Sequence, residues 1–107
     1  MRSIKENDTI YNIGENALDN SKMVKELKRI NVNYWWFHLA DFPSAHIIIE
    51  KTKLSELDIL YACMLLKINS KYKDYRKIKI NYTQLKNVKT LDIPGMVEIK
   101  KYQTMMF

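Results

Sequence analysis

The apolar residues of this chain recur with two different periods. In KIKINY (residues 77–82) they alternate, with Ile78, Ile80 and Tyr82 on one side and Lys77, Lys79 and Asn81 on the other. That period of two is the signature of a strand with one buried face. TIYNI (residues 9–13) is β-prone and ends at Gly14, a turn residue. YWWFHL (residues 34–39) is apolar on both faces of a strand, which predicts a central position in a sheet covered on both sides. Residues 41–45 turn around Pro43, and HIIIE (residues 46–50) resumes as a strand. Pro94-Gly95 predicts a turn, and residues 96–101 a further strand with Val97 and Ile99 inward.

Elsewhere the period is helical. Met23, Leu27 and Ile30 lie at i, i+4, i+7, predicting a helix over residues 22–29 capped by Ser21, with residues 16–20 as a turn. Ser55 with Asp58 three residues on forms a capping signature for a longer helix over residues 55–70. Its stripe of Leu57, Leu60, Tyr61, Met64, Leu65 and Ile68 is widened by Ile59, Ala62, Cys63 and Leu66, so it is expected to lie largely buried against the sheet. The pattern as a whole predicts an α+β fold: a single domain over residues 1–107, with a mostly antiparallel sheet of about five strands and two helices packed on it.

Composition narrows the class. A chain of 107 residues, 47% hydrophobic and 28% charged, suits one globular domain and not a disordered segment. The longest uncharged apolar run, residues 59–66, is far too short to cross a bilayer. The first nine residues are mostly polar and carry no signal-segment pattern. The single cysteine, Cys63, allows no internal disulfide, which fits a cytoplasmic protein.

The net charge of +6 is unevenly placed. Residues 1–66 hold eight Lys/Arg against nine Asp/Glu, whereas residues 67–107 hold ten against three. Such asymmetry points to a polyanion surface, since phosphates are held largely by Lys and Arg; a solvated lysine-rich face gives the same composition. The candidate phosphate ligands are Lys67, Lys71, Lys73, Arg76, Lys77 and Lys79, which can converge at a helix end and along one strand face, followed by Lys86 and Lys89.

His38, Asp41 and His46 form the one cluster that suggests a reaction. Zinc needs three or four ligands in tetrahedral array, and with Cys63 the chain has enough candidates but no metal spacing. Nucleophilic catalysis by Cys63 or Ser44 needs a base oriented by an acid, and neither an elbow nor an oxyanion loop accompanies them. Two glycines leave no phosphate-binding loop. A structural role remains open for His46, bonded to Asp41 or to the Asp-x-Pro turn, beside direct contact with a ligand. Trp35, Trp36 and Phe37 can stack on bases only if exposed, and a strand apolar on both faces predicts that most of these rings are buried.

Several motifs agree in order with one family. Gly14, Asn16, Ala17 and Asn20 match its opening turn. Trp36, His38, Asp41, Pro43 and His46 match a Trp-x-His and Asp-x-Pro-Gly-Ser-His core, followed by aliphatic residues 47–49. Tyr61, Ala62, Ser70 and Lys71 loosely match the end of its long helix. Ile80, Asn81, Tyr82 and Thr83 match Val-Asp-Tyr-Thr, with Lys86, Val88 and Lys89 behind, and Pro94–Val97 its last turn. Over roughly residues 9–104 the chain resembles the NFACT-R domain, the RNA-binding-type module of NFACT proteins that act in ribosome-associated quality control. It departs at Ser44, where the family has glycine, and at Ser21, where it has an acidic residue. The N-terminal domain and coiled coil of full-length members are not matched, so tailing of nascent chains is not implied.

The resemblance implies a stand-alone, non-catalytic module that binds structured RNA, tRNA or ribosomal RNA, without cofactor, metal or membrane. Trp36, His38, Asp41, Pro43, His46, Tyr82 and Thr83 would shape the surface or touch the ligand. A module docking on a ribosomal or other protein is the alternative. The oligomeric state is left open.

Overall fold

A computed structural model describes residues 1–107. Its main sheet has six strands in the order β1 (Arg2–Glu6), β2 (Thr9–Ile13), β4 (Ile47–Ile49), β3 (Trp35–Leu39), β5 (Lys79–Gln84) and β8 (Gln103–Met106). Every neighbouring pair is antiparallel. β6 (Val88–Thr90) and β7 (Val97–Ile99) make a separate two-stranded sheet. Helix α1 (Ala17–Ile30) lies on one face of the main sheet and α2 (Glu56–Ile68) on the other. The molecule is thus a single α+β domain of three layers, and none of its helices is long and apolar enough to cross a membrane.

Period-two alternation sorts the side chains between those layers. Phe37, Leu39, Ile47, Ile49, Tyr11, Ile13 and Ile80 meet Ala62, Cys63, Leu65 and Leu66 of α2. Trp36 and Ile48, one residue out of phase, meet Met23, Val24 and Leu27 of α1 together with Leu85 and Val88. β3 is therefore apolar on both faces because both are covered, as its sequence predicts. The rings of Trp36 and Phe37 are core.

Three expectations need correcting. The first helix begins at Ala17, not at residue 22, and its cap is Asn16, whose side chain accepts from the Asp19 N–H at 2.8 Å. Asp19 in turn accepts from the Glu15 N–H, so the residues taken for a turn form the first helical turn. Ser21 lies inside the helix, where its hydroxyl accepts from the Gly95 N–H at 2.7 Å. Replacing Asn16 by Ala is expected to cost about 1 kcal/mol in chemical denaturation; an unchanged midpoint would leave the cap without energetic weight.

Second, α2 carries the Ser55–Asp58 capping box and packs most of its apolar residues on the core, but its stripe is not buried all round. Leu57 (73% exposed), Leu60 and Ile68 face solvent, because a helix apolar around most of its circumference can press only one side onto a sheet. Third, β1, β6 and β8 escape the periodic reading. β1 joins β2 through a two-residue turn at Asn7 and Asp8, both at positive φ, and only Ile4 of its residues packs on the core.

Candidate nucleic-acid interface

The register of the sheet brings the two histidines together. Phe37 pairs with Ile47, so the next pair sets His38 opposite His46, with ring centroids 4.8 Å apart. Both sit on the α1 side, in phase with Trp36 and Ile48. On the far side of His46, its carbonyl accepts from the Gly14 N–H at 3.0 Å. On the other side of His38 follow Asn81 and Thr104, the latter hydroxyl donating to Asn81 at 2.7 Å. One polar row thus crosses the end of the sheet where α1 begins.

His46 is the tie-point of that row. Its Nδ1 accepts from the Trp36 indole N–H at 3.1 Å, and its backbone N–H donates to the Asn20 Oδ1 at 3.1 Å. The Gly95 N–H donates to the Ser21 hydroxyl one residue along the helix from Asn20. Two helical residues, Asn20 and Ser21, and the 94–95 turn are therefore fastened to the sheet at one place. Asp41 has no part in this; it is exposed on the following loop, so the Asp41–His46 bond expected from sequence is not made. Burial holds His46 down to about 3, with repulsion from His38 acting the same way. Burial likewise holds His38 down to about 4. Both rings are neutral near pH 7.

Cys63 projects from α2 onto the opposite face of the sheet, and burial pushes its thiol up to about 12. The sheet thus stands between the cysteine and the histidines. No group of three His, Cys, Asp or Glu side chains converges on a common point.

A groove of about 960 Å³ opens beside the polar row. Its walls are the start of α1 (residues 14–17 and Asn20), the loop 40–45, residues 69–72 and the 94–96 turn, and His38 is exposed to it. Of the candidate site residues, His38, Asp41, Pro43 and Lys71 line this groove. Trp36 and His46 stand buried behind it. Tyr82 and Thr83 do not reach it. Tyr82 stacks on Phe37 on the α2 side and donates its hydroxyl to Gln103. Thr83 is buried, bonded to the Lys101 carbonyl and to Asn87.

The cations fall into two groups at the two ends of β5. Lys67, Lys71, Lys73, Arg76, Lys77 and Lys79 lie at the end of α2, in the segment that follows, and at the first residue of β5. Lys86 and Lys89 lie past its last residue, about 20 Å away along the strand. There they are joined by Lys100 and Lys101, since the Lys100 N–H donates to the Asn87 carbonyl and the Lys101 carbonyl accepts from Thr83. The six cations expected to converge thus share one end of β5, and Lys86 and Lys89 belong to a second group, whose Lys100 and Lys101 have no signal in the sequence because only the return of β8 beside β5 brings them there. All of these except Lys67 are exposed, and none pairs with a carboxylate; the ion pairs of the molecule lie at Asp8, Asp19 and Asp58.

Also unread in the sequence is an aromatic trio at the groove mouth. Phe42 and Tyr72 stack with centroids 4.1 Å apart, and Tyr75 stands edge-on to both, at 6.1 and 5.2 Å. The signal for it was Tyr72-x-x-Tyr75 inside KYKDYRK.

Comparison with known proteins agrees with the architecture. The chain superposes on the C-terminal part of the fibronectin/fibrinogen-binding protein from Streptococcus suis with a TM-score of 0.87 at 22% identity, covering 98% of this chain and 43% of that one. Over 54 residues it is 32% identical to the Rqc2 homolog RqcH of Bacillus subtilis (strain 168). That match takes in 50% of this chain and 10% of RqcH, so the chain spans a small part of this relative. No family model matches the chain.

Proposed function

We propose that this chain is an NFACT-R-type module that binds structured RNA, tRNA or ribosomal RNA, in the cytoplasmic setting of translation or ribosome quality control. One observation carries the reading. Ten Lys and Arg of residues 67–107 face three carboxylates, nine of those cations are exposed, and none is neutralised by an ion pair. Unpaired surface cations at the two ends of one strand suit phosphates about 20 Å apart, with counterions released on contact. The 54-residue similarity to RqcH and the shared fold support the family assignment. His38, Asp41 and Pro43 would meet the ligand along the groove, while Trp36 and His46 shape it from behind and Tyr82 and Thr83 would serve the scaffold away from it. A non-catalytic role fits a histidine pair that is neutral and built into the scaffold.

Binding of tRNA, followed by fluorescence anisotropy, is expected to weaken about a hundredfold to a thousandfold between roughly 50 and 200 mM salt, the fall for four to six phosphate contacts. Charge reversal at Arg76, Lys77 and Lys79 together is expected to lower affinity and flatten the salt response while leaving the fold intact. A flat salt response of the unaltered protein, or no binding at low salt, would overturn the reading.

A second reading, docking on a ribosomal or other protein, is favoured by the exposed stripe of Leu57, Leu60 and Ile68 on α2. A partner retained after nuclease treatment and lost on Leu57→Asp supports it; a partner released by nuclease does not.

A further inference from the structure

We infer that the segment 71–77 holds a stacking site for an unpaired nucleobase, with Tyr75 as its platform; this rests on the RNA reading above and names the kind of RNA feature recognised. Within seven residues the chain places Lys71, Lys73, Arg76 and Lys77 around two tyrosines, with Asp74 the only opposing charge. All four cations are exposed. The aromatic trio has an internal division of labour. Phe42 and Tyr72 pack against the hydrophobic core and cover one another, so they are fixed from below. Tyr75 does not take part in that core and is 50% exposed. Its ring is nevertheless held, edge-on to both neighbours, and its N–H donates to the Tyr72 carbonyl at 3.0 Å, closing a turn.

A tyrosine with an open side, pre-oriented by two half-buried rings and flanked in sequence by exposed cations, is suited to a planar anionic ligand. A nucleotide offers both halves: a π-face for the ring and a phosphate for Lys71, Lys73 or Arg76. The bases of a duplex interior are already stacked and cannot lie on an outside ring. The site therefore selects an unpaired base of a loop, bulge or overhang, while the lysines alone would not distinguish these from a helix.

The test compares two fluorescein-labelled RNAs, a stem–loop with an all-adenine loop and a blunt duplex of the same stem. Tyr75→Ala is expected to weaken the stem–loop about tenfold, the loss of one stacked base, and to leave the duplex within about twofold. Tyr75→Phe is expected to bind both as the unaltered protein does. Equal loss on the two RNAs, or no loss on either, overturns the stacking site and leaves the RNA reading standing. Failure of the unaltered protein to bind either RNA at low salt overturns both. Because Tyr75 is half exposed and outside the core, circular dichroism of Tyr75→Ala is expected to match that of the unaltered chain.

Discussion

Gly14→Ala is expected to destabilise the domain by about 2–6 kcal/mol. The reason is space and not backbone conformation. A Cβ at Gly14 would fall 1.7 Å from the Asn20 Oδ1 and 2.8 Å from its Cγ. That oxygen accepts from the His46 N–H inside a buried site. The alanine methyl must therefore push Asn20 away, which overpacks the junction at a cost of about 1–3 kcal/mol and leaves a buried donor unsatisfied at about 1–3 more. The mechanism is checked by a double-mutant cycle in urea. On an Asn20→Ala background the oxygen is gone, and Gly14→Ala should cost at least about 1 kcal/mol less than it does alone. Additive losses would show that Gly14 is needed for some other reason.

Acid should act on the same junction. The unfolded-state histidine titrates near 6.5, whereas His46 is held to about 3 and His38 to about 4 in the fold. Above pH 6.5 both states are neutral and pH has no hold on stability through these groups. Below it the unfolded chain takes up protons that the folded chain refuses, so stability falls as pH falls, by about 1.4 kcal/mol per pH unit for each histidine. His46 alone then removes about 2.5–3 kcal/mol by pH 4.5, a large share of the 5–15 kcal/mol typical of a domain. Asp58 contributes outside this window. Burial pushes its carboxyl up, but bonds from Lys51 and Ser55 outweigh that and hold it below its usual value, so its loss comes only at lower pH. Urea midpoints measured from pH 7.5 to 4.5 would be compared with those of His46→Asn, whose Oδ1 can still accept from Trp36. The variant is expected to start lower and fall about half as steeply. Parallel curves for the two proteins would remove His46 as the source.

Much of this junction was legible, but not its wiring. The apolar residues 34–39 and 47–49 announced two adjoining strands, and alternation in residues 77–82 announced a third. What alternation alone cannot supply is register. The partner of His46 is Trp36, ten residues away, and only the β3–β4 pairing sets the two side by side; Asp41, five residues away, is nearer in sequence but exposed. The same limit split the motif Tyr82-Thr83, whose members are adjacent in sequence and on opposite faces of the sheet. It also hid the second basic cluster, assembled from Lys86, Lys89, Lys100 and Lys101 by the return of the last strand. β1 was hidden for a different reason: an edge strand with one packed side chain has almost no hydrophobic pattern to read. The stripe on α2 is as broadly apolar as its sequence reads but is not buried all round, because apolarity states what a face can pack against and not that something does.

The order of the main sheet also decides how the domain responds to force. β1 and β8, the first and last strands, form its two edges, and each is antiparallel to its neighbour. A pull on the N-terminal side meets the pair Arg2–Ile13 first, and one on the C-terminal side meets Phe107, bonded both ways to Ile78. In each case the load falls on the outermost hydrogen bonds alone and passes inward one pair at a time, as in a zipper, with no row of bonds sheared together. Forced unfolding is governed by the barrier along the pulling path and not by equilibrium stability. An unfoldase gripping either end of this domain therefore peels an edge strand at low force, however firmly His46, Asn20 and Gly14 lock the centre.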